Sequence, residues 1–396
     1  MGKRKLAPQS SINSYFDDSE YKKQKNKDPT VTDGKLTWEI TESLYIATYG
    51  KPKKSEKVAT FDLDGTLIKT KSGRVFAKDA GDWLWWHPNV VPTLKKLDSE
   101  GFSIVIFSNQ NGIPRRASTG HQFQIKVRAI LESLDLPVIL YAALLRDKYR
   151  KPLQGMWDHF VERWAHPIDK SLAFFVGDAA GRPRNHNSTD LKFAENIGIK
   201  FDTPEHFFTG EPFDRPDFSS FHPKMFLQED KTSQPYKFVP AKHQEIVVLV
   251  GYPASGKSTL CESQIVPFGY QRVNQDALKT KARCVKAAVE ALKNNKSVVI
   301  DNTSPTYEAR EVWVKLAKEF NVPARCIYLE VPEQLAKHNN TFRYIQQEIK
   351  GLPEVAYVSF RSKFQKPSVK EGFESVESVP FRCLPELEEK WNQWYE

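Results

Sequence analysis

The chain is short of the features that mark secreted, membrane-bound or fibrous proteins. Its 396 residues include only four cysteines, Cys261, Cys284, Cys326 and Cys383. None is at a paired spacing, so neither a disulfide framework nor a zinc site is indicated, and a reducing compartment fits. No apolar run approaches the roughly 20 residues that a membrane helix requires. The lysine-rich N-terminus lacks the apolar segment of a secretory signal, so the expectation is a soluble protein kept inside the cell, with no membrane partner. There is no internal repeat and no heptad, which leaves a monomer as the default. Acid is the scarcer charge: 49 Asp and Glu stand against 58 Lys and Arg, a formal +9. Such a balance suits a polyanionic partner, because cationic surface releases counterions from phosphate backbones, and it equally suits a merely soluble basic protein. Core-forming residues are plentiful, with 40% hydrophobic and 12% aromatic. Wholesale disorder is therefore excluded, and the length predicts two to three domains.

Residues 1–36 are rich in Ser, Asn, Asp and Lys and read as a disordered basic tail. Over 37–210 strands and helices alternate. "KVATFDLDG", "FSIVIFSNQ" and "SLAFFVGDA" are apolar runs of strand length, with helical stretches such as "HQFQIKVRAILESL" between them. Residues 211–241 are aperiodic and proline-rich, the composition of a linker. Over 242–396 the alternation returns in "EIVVLVG", "SVVIDNT" and "ARCIYLEV". This pattern predicts an α/β protein of two parallel-sheet domains, with ligands at the carboxyl ends of the strands.

Two short stretches carry chemistry. "FDLDGTL" sets Asp62 and Asp64 two residues apart directly after an apolar strand. Carboxylates so spaced can share a magnesium ion and divide the work, one attacking phosphorus and the other supplying a proton to the leaving oxygen. Gly65 allows the tight turn, and Thr66 is placed to hydrogen-bond a carboxylate. Trp83, Trp85 and Trp86 follow closely, either to stack an unpaired base or to pack the domain's own core.

The second stretch, "GYPASGKST", follows a strand and opens a helix, the context a phosphate-binding loop demands. Backbone N–H groups from Gly251 to Thr259, with Gly256 in the turn, wrap the phosphates of ATP. Lys257 reaches the β and γ oxygens, and Ser258 holds magnesium. Asp276 in "VNQDAL" is placed to take a proton from an attacking hydroxyl, or to cap the helix it opens. Asp301 in "IDNT" orders magnesium-bound water, or organises the turn with Asn302 and Thr303. Lys337 and Arg343 in "KHNNTFR" are candidates for a basic lid over the transferring phosphate.

The first stretch resembles the haloacid dehalogenase superfamily of phosphatases. That resemblance implies an aspartyl-phosphate formed on Asp62, with Asp64 as acid and later base. It also implies that Ser108 and Asn109 bind phosphate, that Lys151 steadies the phosphoryl charge, and that Asp178 is a second metal carboxylate with Asp190 in reserve. A phosphatase ahead of a P-loop kinase resembles the polynucleotide kinase 3′-phosphatase family of DNA-end repair enzymes. The quoted segments carry this resemblance together with "SGRVF", "RKP", "GMWDH", "HNN" and "EGF".

Membership would imply magnesium and ATP as cofactors, DNA ends as partner, a nuclear location, Asp276 activating the 5′-hydroxyl, and Arg283 holding DNA or the adjacent phosphate. Alternatives are an enzyme healing RNA ends and a non-catalytic end-binding scaffold. Vertebrate members carry an N-terminal forkhead-associated domain. Here only the tail precedes the phosphatase, as in a fungal-type form, and Thr341 stands where relatives have a basic residue. Within the tail, Gln9, Ile12, Tyr15 and Phe16 have the spacing of a sliding-clamp-binding peptide. Lys3-Arg4-Lys5 and the later lysines read either as a nuclear import signal or as solubilising charge.

Overall fold

In the computed structural model, residues 30–113, 117–182, 187–213, 221–230, 236–347 and 349–395 are described. The candidate clamp-binding residues Gln9, Ile12, Tyr15 and Phe16 lie outside them. The chain forms two compact units, each with its own principal sheet.

The first strands in chain order among the described residues are β1 (Thr30–Asp33), β2 (Leu36–Ile40), β3 (Leu44–Tyr49), β4 (Val58–Phe61), β5 (Ile68–Lys69), β6 (Leu84–Trp85), β7 (Ser103–Asn109), β8 (Val138–Ala143), β9 (Phe174–Val176) and β10 (Lys200–Asp202). β5 and β6 form a separate small hairpin, and the others make one sheet in the order β1-β2-β3-β8-β7-β4-β9-β10. The centre of the sheet, β8-β7-β4-β9, is parallel. Every residue of β4 is buried, as expected of a strand covered on both faces.

The sheet is mixed, because β1, β2 and β3 add an antiparallel meander at the edge of β8. Residues 30–36 of the expected tail include the strand β1, Thr30–Asp33. Gly34 closes the β1–β2 turn at φ +63°, a conformation in which glycine alone has no steric cost.

The second unit is parallel throughout, with β11 (Ile246–Val250), β12 (Gln271–Val273), β13 (Val298–Ile300), β14 (Ala324–Leu329) and β15 (Ser375–Val379) in the order β12-β13-β11-β14-β15. β11 feeds two cores in alternation: Ile246, Val248 and Val250 pack on one face, Val247 and Leu249 on the other. Cys284 and Cys326 fill one of these cores and Cys261 the other. Part of the expected linker belongs to this unit. Pro223 opens a helix, Pro223–Asp230, and Leu227 and Phe238 are buried in the core. Among the described residues, no helix is long and apolar enough to cross a membrane.

Candidate active sites

β7, β4 and β9 are parallel neighbours, so the residues that follow them gather at one edge of the sheet. Asp62 leaves β4 with its N–H bonded to Val176 O at 2.9 Å and stays 7% exposed. Two donors hold Asp64. Lys126, from the helix Ala117–Leu134, places Nζ 2.7 Å from Oδ1, and Gln110 places Nε2 2.7 Å from Oδ2. The same Gln110 nitrogen donates to the buried Ser108 Oγ at 2.9 Å. The Thr66 hydroxyl accepts the Asp178 backbone N–H at 3.0 Å and so fixes the chain next to the metal candidate. Gly65 sits at φ +87°, and a Cβ there would lie 2.7 Å from Asp178 Cγ.

Asp62 and Asp178 bring carboxylate oxygens within 4.8 Å of each other, oxygen donors of the kind that a hard cation such as magnesium takes. Asp190 forms a 2.7 Å ion pair with Lys151 in which both side chains are 2% exposed. A cavity of about 860 Å³ opens here, lined by Asp64, Asn109, Lys126 and Asp178, with Arg74 and Phe76 also in its wall. Trp83, Trp85 and Trp86 pack against the core, and none lines the cavity. Of the rings that do line it, Phe123 is buried and Phe76 is 84% exposed. Gln110 and Lys126 were not singled out from the sequence. Gln110 lies inside the "IFSNQ" run, whereas nothing in the sequence marks one helical lysine among many.

In the second unit, the loop after β11 is shaped by residues that accept unusual backbone angles. Gly251 has φ +151°, and a Cβ there would meet Leu329 O at 3.0 Å; Gly256 has φ +97°. Ala254 takes the left-handed region too, at φ +61°, and its carbonyl accepts Asn339 Nδ2 at 3.1 Å. Asn339 Oδ1 takes the Trp391 indole N–H at 2.7 Å, so the "HNN" helix braces the loop. Lys257 is 7% exposed, and its Nζ donates to the carbonyls of Gly251 and Tyr252 and to Ser255 Oγ. Burial pushes the ammonium down to about 8, and nearby Asp301 and Asp276 act in the opposite direction. Ser258 and Thr259 are exposed at the start of the short helix.

Asp276 is exposed in the first turn of Gln275–Leu278, where Asn274 caps Ala277 N at 3.1 Å. The helix cap is therefore Asn274, which leaves the Asp276 carboxylate free of that duty. The Asp301 turn grips this segment, since Asn274 Nδ2 donates to Asp301 O at 2.6 Å and Gln275 N to Asn302 Oδ1 at 2.9 Å. A cavity of about 510 Å³ beside the loop is lined by Thr259, Leu260, Asn339, Arg343 and Phe381 among others. Of the two lid candidates, Arg343 faces this cavity and is held below its usual range by burial. Lys337 is committed to Glu333 at 2.9 Å and Glu354 at 2.6 Å and does not line the cavity. Arg283 is exposed in the first turn of Lys281–Lys293.

Residues 57–208 match the family described as polynucleotide kinase 3 phosphatase, and residues 246–367 match the AAA domain. The bifunctional polynucleotide phosphatase/kinase of Schizosaccharomyces pombe is 61% identical over 100% of this chain and 99% of its own. A protein of Acanthamoeba polyphaga mimivirus is 33% identical over 84% of this chain and 86% of its own. The polynucleotide 3′-phosphatase of Saccharomyces cerevisiae is 31% identical over 39% of this chain and 87% of its own. With an aspartate site on one sheet, a phosphate loop on the other and a relative that spans both, the chain belongs to the bifunctional polynucleotide phosphatase/kinase family.

Proposed function

We propose that this chain restores ligatable DNA ends by removing 3′-phosphate and transferring the γ-phosphate of ATP to a 5′-hydroxyl. The observation that carries the reading is the presence of both sites in one chain whose 61% identical relative is itself named for both activities. In the phosphatase site, Asp62 attacks phosphorus while Asp64, oriented by Gln110 and Lys126, gives its proton to the departing 3′-oxygen. Asp64 then takes a proton from the water that releases phosphate from Asp62. Asp62 and Asp178 would hold magnesium, which would neutralise charge on the crowded oxygens. Lys151 steadies the phosphoryl group, and Ser108 and Asn109 bind it.

In the kinase site, Asp276 accepts the proton of the 5′-hydroxyl as it attacks. Lys257 and the loop amides hold the phosphates, Ser258 binds magnesium, and Arg343 serves as the lid cation. The basic balance of the chain suits a nucleic-acid partner, and activity in the nucleus as a monomer follows the same reading. Stacking of a terminal base falls to Phe76, exposed at the phosphatase cavity. Arg283 holds the DNA strand near Asp276, and the tail residues Gln9, Ile12, Tyr15 and Phe16 engage a sliding clamp.

The test of substrate class is a matched pair of strands, one deoxyribose and one ribose, each bearing 3′-phosphate and 5′-hydroxyl. Faster processing of both deoxyribose ends supports the reading, whereas preference for the ribose strand replaces it with RNA-end healing. For the tail, loss of clamp affinity in calorimetry on Tyr15→Ala with Phe16→Ala supports clamp binding, and unchanged affinity removes it.

A further inference from the structure

The P-loop lysine has a competitor inside its own site. Asp301 is 2% exposed, and its carboxylate is the foremost opposite charge acting on Lys257. Arg272, the middle residue of β12, spends two nitrogens on a single oxygen of that carboxylate: Nε lies 2.9 Å and Nη2 2.6 Å from Oδ2. Its remaining nitrogen, Nη1, reaches Glu262, on the helical turn that continues the P-loop helix. The guanidinium is thus a strut between the P-loop element and the carboxylate. Asp301 Oδ1 is buried and has no hydrogen-bond partner among the described residues.

Asn274 Nδ2 also reaches Oδ2, at 3.4 Å, but a neutral amide leaves the charge uncompensated, so a buried carboxylate with an unengaged oxygen takes whatever cation it can reach once its fixed cation is lost. Lys257 is open to that exchange. Its ammonium is held by two carbonyls and a hydroxyl, neutral contacts that it must leave when phosphates arrive. An ion pair with Asp301 would hold it more firmly, and a nucleotide would have to break that pair before it could bind.

We propose that Arg272 is a positioning residue of the kinase site, pinning Asp301 so that the P-loop lysine stays available to the nucleotide phosphates. The inference rests on Lys257 being the phosphate ligand. The contacts that define it lie within the second unit, and urea unfolding of that unit checks that each variant is folded.

The test is the affinity of the full chain for a fluorescent ATP analogue, read by anisotropy with magnesium and again in EDTA. Arg272→Gln should weaken binding on the order of tenfold in both conditions, a modest share of what two charges in contact near a protein surface gain. The loss should persist in EDTA because the competition is between carboxylate and ammonium. Adding Asp301→Asn to Arg272→Gln should restore most of the affinity, since the amide cannot trap the lysine. Parent-like binding by Arg272→Gln overturns the proposal. So does a double variant as weak as the single one, which would mean that Arg272 acts through Glu262 or the strand. Lys257→Ala is measured alongside; if it binds as tightly as the parent, the lysine is not the phosphate ligand and the inference falls with that assignment.

Discussion

Gly65 offers the sharpest single-atom test of the phosphatase site. Replacing it with alanine adds one carbon, and that carbon would lie 2.7 Å from Asp178 Cγ and 2.8 Å from its Oδ2. Carbon atoms are at their optimal separation at roughly 3.5–4.0 Å, so Asp178, the turn or both must give way by about 1 Å. The backbone adds its own resistance, because φ +87° lies in the region that alanine occupies only at a cost of about 1–3 kcal/mol. Thr66 limits the escape, since its hydroxyl holds the Asp178 N–H at 3.0 Å. A misplacement of about 1 Å in a catalytic constellation costs on the order of 100-fold in rate.

Gly65→Ala is therefore expected to lower the 3′-phosphatase rate by roughly that factor while the 5′-kinase rate of the same preparation is unchanged. The assay is release of phosphate from a 3′-phosphorylated oligonucleotide beside phosphoryl transfer to a 5′-hydroxyl one. A variant with the parent's phosphatase rate would refute the claim that the close approach of this turn to Asp178 holds the site together. Equal loss of both activities would show that the substitution unfolds the chain rather than disturbing one site.

Three further outcomes follow from buried charges and from the brace on the phosphate loop. Arg310 is fully buried and bonds Glu371 through Nε and Nη2, both at 2.7 Å, so Arg310→Met should cost roughly 3–5 kcal/mol in urea unfolding. Adding Glu371→Gln should return part of that loss, and a costless Arg310→Met would contradict the pairing. His338 is pushed down to about 4 by burial, while its nitrogen lies 2.8 Å from Trp391 O. Because the unfolded chain binds that proton more readily, the stability due to neutral His338 is complete above about pH 6.5 and is lost as pH falls toward 4, by about 3 kcal/mol in all. Unfolding at pH 7 and pH 5 should show a smaller drop for His338→Gln than for the parent; an identical drop would rule the residue out. Asn339→Ala removes the brace on Ala254 and leaves the Trp391 indole without its acceptor, so nucleotide affinity should fall with the phosphatase rate unchanged. Parent-like nucleotide affinity in Asn339→Ala would show that the loop keeps its shape unaided.

What could be read in the sequence was what local chemistry dictates. Apolar runs ending in Asp, Asn or Gly became β4, β7, β9, β11 and β13, and the residues just after them are the ones that gather at the sites. The signal is strong there because a strand buried on both faces has no polar residue to blur its end. The antiparallel strands β1 to β3 were harder to read, since a short edge meander needs only a few apolar positions and a turn glycine. The helix at Pro223–Asp230 was hidden by its prolines, which mark a linker and a helix start alike.

Site residues divide in the same way. Asp62, Asp178 and Lys257 stand in motifs whose spacing has a mechanical reason. Lys126, Gln110 and Arg272 act through partners 62, 46 and 29 residues away in the chain, and only the folded sheet brings those pairs together. The tryptophans illustrate the opposite case, an eye-catching cluster that packs the core while a single exposed phenylalanine lines the cavity.

The central claim is that one chain heals both sides of a break through two separate sites. The direct measurement uses a nicked duplex bearing 3′-phosphate and 5′-hydroxyl, with magnesium and labelled ATP, and both ends are resolved on a gel. Parent protein should convert both ends, Asp62→Asn only the 5′ end, and Lys257→Ala only the 3′ end. Loss of both conversions from either single substitution, or conversion of neither end by the parent, would contradict the account.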